Sequence, residues 1–176
     1  MMRESTLCLP IRQHPAQEIL LGFKKAGFGA GKITGFGGKV EPGETVAQAA
    51  VRELAEETGM LTSEDALRSA GRLTFVFPAR PQWSQVVHAF LVTAWNGEPA
   101  ESVEMVPRWF ALDAVPYDKM WQDGTHWLPP ILAGKQVRAR FTFGDDNESI
   151  RDLEIDTWDR GSQAPRSTPP DQEGSE

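Results

Sequence analysis

Glu53, Glu56 and Glu57 are the residues whose type and spacing point most directly to chemistry in this sequence. At roughly 100° per residue, they fall within an arc of about 100° on one face of a helix. Thr45 with Gln48 three residues on makes a capping box, so the helix is expected to start at Val46. Gly59 stands where a left-handed residue would end it. Ala47, Ala50, Val51 and Leu54 gather on the other side, which would dock on a sheet and leave the carboxylates facing a cleft. Like charges at i,i+4, such as Glu53 and Glu57, cost an isolated helix about 0.2–0.5 kcal/mol per pair. Arg52 can offset one of them by pairing with Glu56, but not all of them. A divalent cation would, and clustered carboxylate oxygens are the ligands that Mg²⁺ or Mn²⁺ take. Three glutamates on an arbitrary helix make a solvated acidic surface; what surrounds these three argues for more.

Gly38, five residues, Glu44, seven residues, then Arg52-Glu53-Leu54-Ala55-Glu56-Glu57-Thr58-Gly59-Met60 resembles the signature of the Nudix hydrolases at every fixed position. The similarity runs from about Thr6 to Ile155. The segments LLGFKKAGFGAGKITGFGGKVEPGET, ESVEM before WF, MWQDGTHWLP and RARFTFG resemble the MutT branch, whose eukaryotic members act on 8-oxo-dGTP and other oxidised purine nucleoside triphosphates. The resemblance implies an α/β/α sandwich with a mixed β-sheet between helices, and hydrolysis of a nucleoside triphosphate to monophosphate and pyrophosphate. In that family the box glutamates hold Mg²⁺ and water attacks a phosphorus. Phosphoryl transfer needs positioning, charge neutralisation and an activated water more than covalent help, which suits such a residue set. By resemblance Glu53, Glu56 and Glu57 are the metal-binding and catalytic glutamates, Arg52 orients one of them, and Gly38 belongs to the metal site. Glu104 stands where the family places an additional carboxylate; on its own it would be an ordinary loop residue. Lys24 matches a pocket-side lysine, and otherwise reads as a strand-end lysine.

The base site implied by the resemblance draws on Thr6, Thr34, Phe75, Phe77, Met105, Trp121, Asp123 and Trp127. Aromatic rings stack on a purine and side-chain acceptors read its edge. Alternate phenylalanines in a strand, as at 75 and 77, are usually core, whereas a tryptophan in the polar stretch MWQDG invites a stacking role. Two positions depart from the family: Thr34 stands for its asparagine, and Gly124 for the second of two aspartates, leaving Asp123 to read an amino or N–H edge. Losing a polar partner can shift base discrimination by orders of magnitude.

The rest of the chain must position these groups. With 176 residues, 40% of them hydrophobic, and a net charge of −7, one acidic globular domain is expected over residues 1–158. The stretch 159–176 has no large apolar residue and reads as a disordered tail. Strands are expected at Thr6–Ile11, limited by Pro10 to a sheet edge or bulge, and at Glu18–Lys24, Gly71–Phe77, Val86–Ala94, the WFAL run and Gln136–Phe143, with a weaker one at Ile150–Ile155. Asp113–Pro116 suggests a short helical turn, Tyr117–Asp123 a loop, and Thr125–Leu132 a second helix if Pro129 and Pro130 sit in its first turn. The loop AGFGAG fails the spacing of both the Walker and the dinucleotide motifs.

No apolar run approaches the ~18–20 residues of a membrane helix. The start MMRESTLCLPIRQ lacks a signal-peptide core, and Cys8 is a single cysteine, so a cytoplasmic setting is expected. Net acidity disfavours a nucleic-acid polymer as partner but not a nucleotide met by a metal. A monomer or weak dimer is expected. Two other readings keep the box: hydrolysis of another nucleoside diphosphate derivative, such as ADP-ribose or a sugar nucleotide, and a nucleotide-binding regulator without catalysis. No long extra segment supports the first, and the complete set of box carboxylates speaks against the second.

Overall fold

The computed structural model describes residues 1–166. Its strands are β1 (Arg3–Arg12), β2 (Glu18–Lys24), β3 (Ile33–Thr34), β4 (Leu67–Val76), β5 (Gln85–Val92), β6 (Met105–Ala111), β7 (Lys135–Phe143) and β8 (Ile150–Asp159), with helices α1 (Val46–Thr58) and α2 (Gly124–Leu132). The sheet runs β3-β2-β1-β5-β4-β7-β8, and β6 pairs with β2. It is mixed: β1 lies parallel to β5 and β4 parallel to β7, while the other pairings are antiparallel.

Strand alternation sends neighbouring apolar residues to opposite faces, and each face acquires a helix. Cys8, Leu20, Phe36, Val92 and Met105 pack with Ala50 and Leu54 of α1. Leu9, Ile19, Leu21, Leu73 and Phe141 pack with Trp127, Leu128 and Ile131 of α2. The expected α/β/α sandwich is therefore the fold.

Helix α1 starts and ends where its caps require. The Thr45 hydroxyl accepts from Gln48 N–H at 3.1 Å, the Gln48 side chain accepts from Thr45 N–H at 2.9 Å, and Gly59 closes the helix at φ 75°.

Three local expectations are corrected. Strand β1 is not an edge: it pairs with β5 from Arg3 to Pro10, and with β2 only at Ile11 and Arg12. Thr6 and Cys8 donate their N–H groups to Gly38 and Phe36, so Pro10, at the next alternate position, turns its donor-free nitrogen past the end of that pairing. The prolines of α2 lie in its second turn, not its first. The hydrogen bonds they forgo are offset by burial of Trp127, Leu128 and Ile131 against β7. The short helical turn forms at Tyr117–Lys119, inside the expected loop, rather than at 113–116.

Strand β8 runs on past Ile155. Lys135 pairs with Asp159 at 2.6 Å, and the Arg160 guanidinium donates to the Ile131 and Lys135 carbonyls, so chain expected to be tail is tied to the sheet at its beginning. Residues 167–176 lie outside the described residues.

Candidate active site

The carboxylates do not share one environment. Glu57 follows Ala50 and Leu54 at i+7 and i+3, so it lies on the buried stripe of α1 and is only 5% exposed. The expected separation of an acidic face from an apolar face is thus incomplete: Glu57 belongs to both. Its carboxylate accepts from the Gly37 N–H at 2.9 Å. Burial, then the neighbouring charge of Glu53, pushes its pKa up to about 8, against the pull of Gly37 and Lys24. Glu53 is raised too, by burial first, with Glu56 and Glu104 adding repulsion and Arg52 opposing.

Arg52 is the hub of the cluster. It reaches Glu44 through Nε (2.7 Å) and Nη2 (2.9 Å), Glu53 at 2.8 Å, Glu56 at 3.4 Å and the Lys39 carbonyl at 3.0 Å. The two-pronged contact holds the Glu44 carboxyl down to about 2. The Arg52–Glu56 pair expected from spacing is present, but Glu44, from the turn before the helix, is the better-placed partner.

Glycines bring the backbone up against these groups. A Cβ on Gly38 would stand 2.4 Å from a Glu53 carboxylate oxygen, and one on Gly37 would meet the Thr6 carbonyl oxygen at 1.8 Å. The Gly38 carbonyl accepts from Thr6 N–H at 2.8 Å. Among the described residues, no three His, Cys, Asp or Glu side chains stand close enough together to enclose an ion as they are. The donor set nevertheless fits a hard divalent cation: all-oxygen ligands, two of them partly desolvated carboxylates that repel each other.

The aromatic residues assemble on the opposite face, beside α2. Phe28, from the glycine-rich loop, stacks on Trp121 (centroids 5.4 Å, planes 20° apart) and meets Trp83 edge-on at 5.0 Å. Phe77 stacks on Phe143 at 4.4 Å, and Phe75 on Phe141 at 5.5 Å. The Lys32 ammonium lies over the Trp121 ring at 4.7 Å. A Cβ at Gly29 would come within 3.2 Å of Trp121 Nε1, and Gly27, Gly29 and Gly31 all adopt positive φ, so the loop's glycines let it lie close against this ring. Asp123 is 5% exposed; it accepts from Trp127 Nε1 at 2.7 Å, and burial pushes its pKa up to about 6.

A groove of about 740 Å³ lies beside this cluster, between Tyr117–Thr125 and the start of β8. None of the residues expected to do chemistry lines it, so volume alone does not locate the site.

The NUDIX domain family model matches residues 1–130. The chain belongs to the Nudix hydrolase family. This Nudix hydrolase is 44% identical over 131 residues to the oxidized purine nucleoside triphosphate hydrolase of Mus musculus, covering 74% of this chain and 82% of that one. It is 47% identical over 125 residues to the protein of the same name from Danio rerio, covering 71% and 78%. The crystal structure of a mutator MutT protein from Bacillus halodurans matches with a TM-score of 0.73 at 21% identity, over 88% of this chain and 98% of that one, a likeness of fold.

The Nudix fold brings Gly38, Arg52, Glu53, Glu56 and Glu57 together, with Lys24 and Glu104 near enough to act on the Glu57 charge. It brings Phe75, Phe77, Trp121, Asp123 and Trp127 to the aromatic side. The other three residues expected at the base lie on the α1 side of the sheet. Thr6 stands under Gly38, with its hydroxyl 3.5 Å from that carbonyl, and Met105 is buried in the core beneath α1. Thr34 alternates with Ile33, which packs on the aromatic side, so strand geometry turns Thr34 the other way. Phe28 and Trp83 were not among the expected site residues. The glycine spacing around Phe28 was a signal for close approach; Trp83 carried none.

Proposed function

We propose that this Nudix hydrolase removes oxidised purine nucleoside triphosphates from the nucleotide pool, cutting them to monophosphate and pyrophosphate with Mg²⁺, or Mn²⁺ in its place. The observation that carries this reading is the pairing of a buried and a half-buried carboxylate, Glu57 and Glu53, which repel each other beside a glycine backbone on one face, with an aromatic cluster on the other. The relatives' names supply the substrate class. Among the described residues no helix is long and apolar enough to cross a membrane, and a cytoplasmic enzyme guarding DNA precursors is the setting we infer.

Glu53, Glu56 and Glu57 would hold the ion, with Glu104 and the Gly38 carbonyl beside them. Once bound, it would supply charge neutralisation for the phosphates and acidify water. The remaining work falls to this chain's own groups. Arg52 keeps Glu53 and Glu56 turned towards the phosphate side and is itself fixed by Glu44. The Gly37 N–H fixes one oxygen of Glu57, leaving the other free to act. Lys24 adds positive charge near Glu57, where the polyphosphate would lie. On the aromatic side, Trp121 and Phe28 offer stacking surfaces, with Asp123 in reach of the base edge.

The test is a substrate panel with purified protein: 8-oxo-dGTP, 2-hydroxy-dATP, dGTP, dATP and ADP-ribose, with and without Mg²⁺, products separated by chromatography. Fast, Mg²⁺-dependent release of monophosphate and pyrophosphate from the oxidised purines is expected. Cleavage of ADP-ribose alone would overturn the substrate assignment.

A further inference from the structure

Beyond Phe75, the aromatic face ends in a polar group made of Arg3, Ser5 and Gln85. Alternation fixes its face: Leu9 of β1 and Val87 of β5 point into the α2-side core, so Arg3, Ser5 and Gln85 share that side. Register fixes its place. Arg3 stands opposite Gln85, Gln85 opposite Phe75, and Phe75 opposite Phe141. Gln85 also follows Trp83, whose ring meets Phe28 and Phe77.

The hydrogen bonding of this group is lopsided. Ser5 Oγ donates to Gln85 Oε1 at 2.8 Å, and Arg3 Nη2 donates to the same oxygen at 3.4 Å. Because a guanidinium can only donate, the atom it meets is the amide oxygen, which sets the orientation of the Gln85 side chain. The acceptor of the group is thus shared between two donors. What remains is donors: among the described residues, neither the Gln85 amide nitrogen nor the buried Arg3 Nε has an acceptor. A buried donor left unpaired is costly, and buried polar groups are normally satisfied.

We propose that Arg3 and Gln85, braced by Ser5, are specificity-determining residues that donate to a keto oxygen of the substrate base. This rests on the base lying on the aromatic face, as proposed above. A phosphate oxygen is the other acceptor a nucleotide offers, but the phosphate groups belong with Glu53 and Glu57 on the α1 face of the sheet, whereas Arg3 and Gln85 lie on the α2 face. A donor-only edge discriminates: it satisfies a keto oxygen and leaves an exocyclic amino group facing N–H groups, a mismatch that polar sites reject strongly.

Gln85→Glu is the test, because the carboxylate keeps an acceptor for Ser5 and Arg3 while removing the free amide donors. Arg3→Lys, which removes the Nε donor and keeps the charge, is the second variant. For each, kcat and KM are measured on 8-oxo-dGTP, which carries keto oxygens, and on dATP, which carries none, with the melting temperature as a control for folding. The ratio of kcat/KM for 8-oxo-dGTP over dATP is expected to fall about tenfold, mainly through KM. An unchanged ratio in both folded variants overturns the proposal. Trp121→Ala, measured alongside, separates the two layers. If it leaves both substrates unaffected, the aromatic face is not the base site. If it weakens both while the Gln85 and Arg3 variants keep the ratio, only the keto-reading role fails.

Discussion

The carboxylate site and the aromatic cluster lie on opposite faces of one sheet, and they are built in different ways. The first is local: Gly37, Gly38, Glu44, Arg52, Glu53, Glu56 and Glu57 come from one continuous stretch, joined by contacts within a turn and a helix. The second is assembled from distant loops. Phe28 precedes α1, Trp83 lies between β4 and β5, Trp121 follows β6, and Phe143 ends β7. Metal and phosphate chemistry, on the reading proposed above, would be carried by this rigid local unit. Recognition of the base, on the same reading, would sit where separate loops meet, so that a change in one could leave the phosphate chemistry alone.

The sharpest way to break this division is Glu57→Gln. If the carboxylate side carries the chemistry, kcat on an oxidised purine triphosphate falls by about 10³-fold with KM little changed. The melting temperature of the metal-free protein should hold or rise above about pH 5, because an amide is neutral in this buried place without holding a proton that the unfolded chain gives up. A variant with near-normal kcat would take Glu57 out of the catalytic set.

Gly38→Ala attacks the same face through the backbone. Its Cβ would stand 2.4–2.9 Å from the Glu53 carboxylate atoms, so Glu53 must move and its Arg52 contact must adjust. A loss of roughly 100-fold in kcat/KM is expected, since displacement by about 1 Å can cost that much. Full activity would mean that Glu53 has room to spare.

On the other face the expectation changes in kind. Trp121→Ala should raise KM about tenfold or more while leaving kcat within a few-fold, because base stacking on an aromatic ring contributes about 1–3 kcal/mol to binding. A fall in kcat as large as that of Glu57→Gln, with KM unmoved, would erase the division of labour between the faces.

How far each region could be read from the chain follows from the same difference. Thr45, Gln48 and Gly59 determine the ends of α1 through bonds to their own neighbours, and the box spacing determines the rest of that site. Pro10 was misleading because its place in the sheet depends on where residues 36–38 stop pairing with β1, a non-local fact. The prolines of α2 were misplaced for a similar reason: tertiary burial of Trp127 and Ile131 outweighs their local preference. The resemblance assigns Thr6, Thr34 and Met105 to the base, and strand alternation decides which face of the sheet they take. Phe28 needed knowledge of which rings the folded loops bring to it.

The smallest expected effect concerns pH and sharpens the view of Glu57 as a buried charge. Its folded pKa is raised to about 8, above the ~4.3 of an unfolded glutamate. Below about pH 4 both states hold the proton and the shift contributes no difference. As pH rises from there through 8, the unfolded chain loses its proton first, so the folded state loses relative stability. Asp123, raised to about 6, acts in the same direction over the lower part of that range. Glu44, held down to about 2, opposes them only below pH 4.5, where its contact with Arg52 is lost as acid protonates it. The melting temperature of the metal-free protein should therefore fall by about 10 °C between pH 5 and pH 8. Glu57→Gln should flatten most of that slope and leave the part due to Asp123. Mg²⁺ should flatten it in the wild type as well, by stabilising the ionised carboxylates where they are otherwise unfavourable. Identical slopes in wild type and variant would show that Glu57 ionises as an exposed glutamate does, and that what drives a cation to this site is not the burial of its charge.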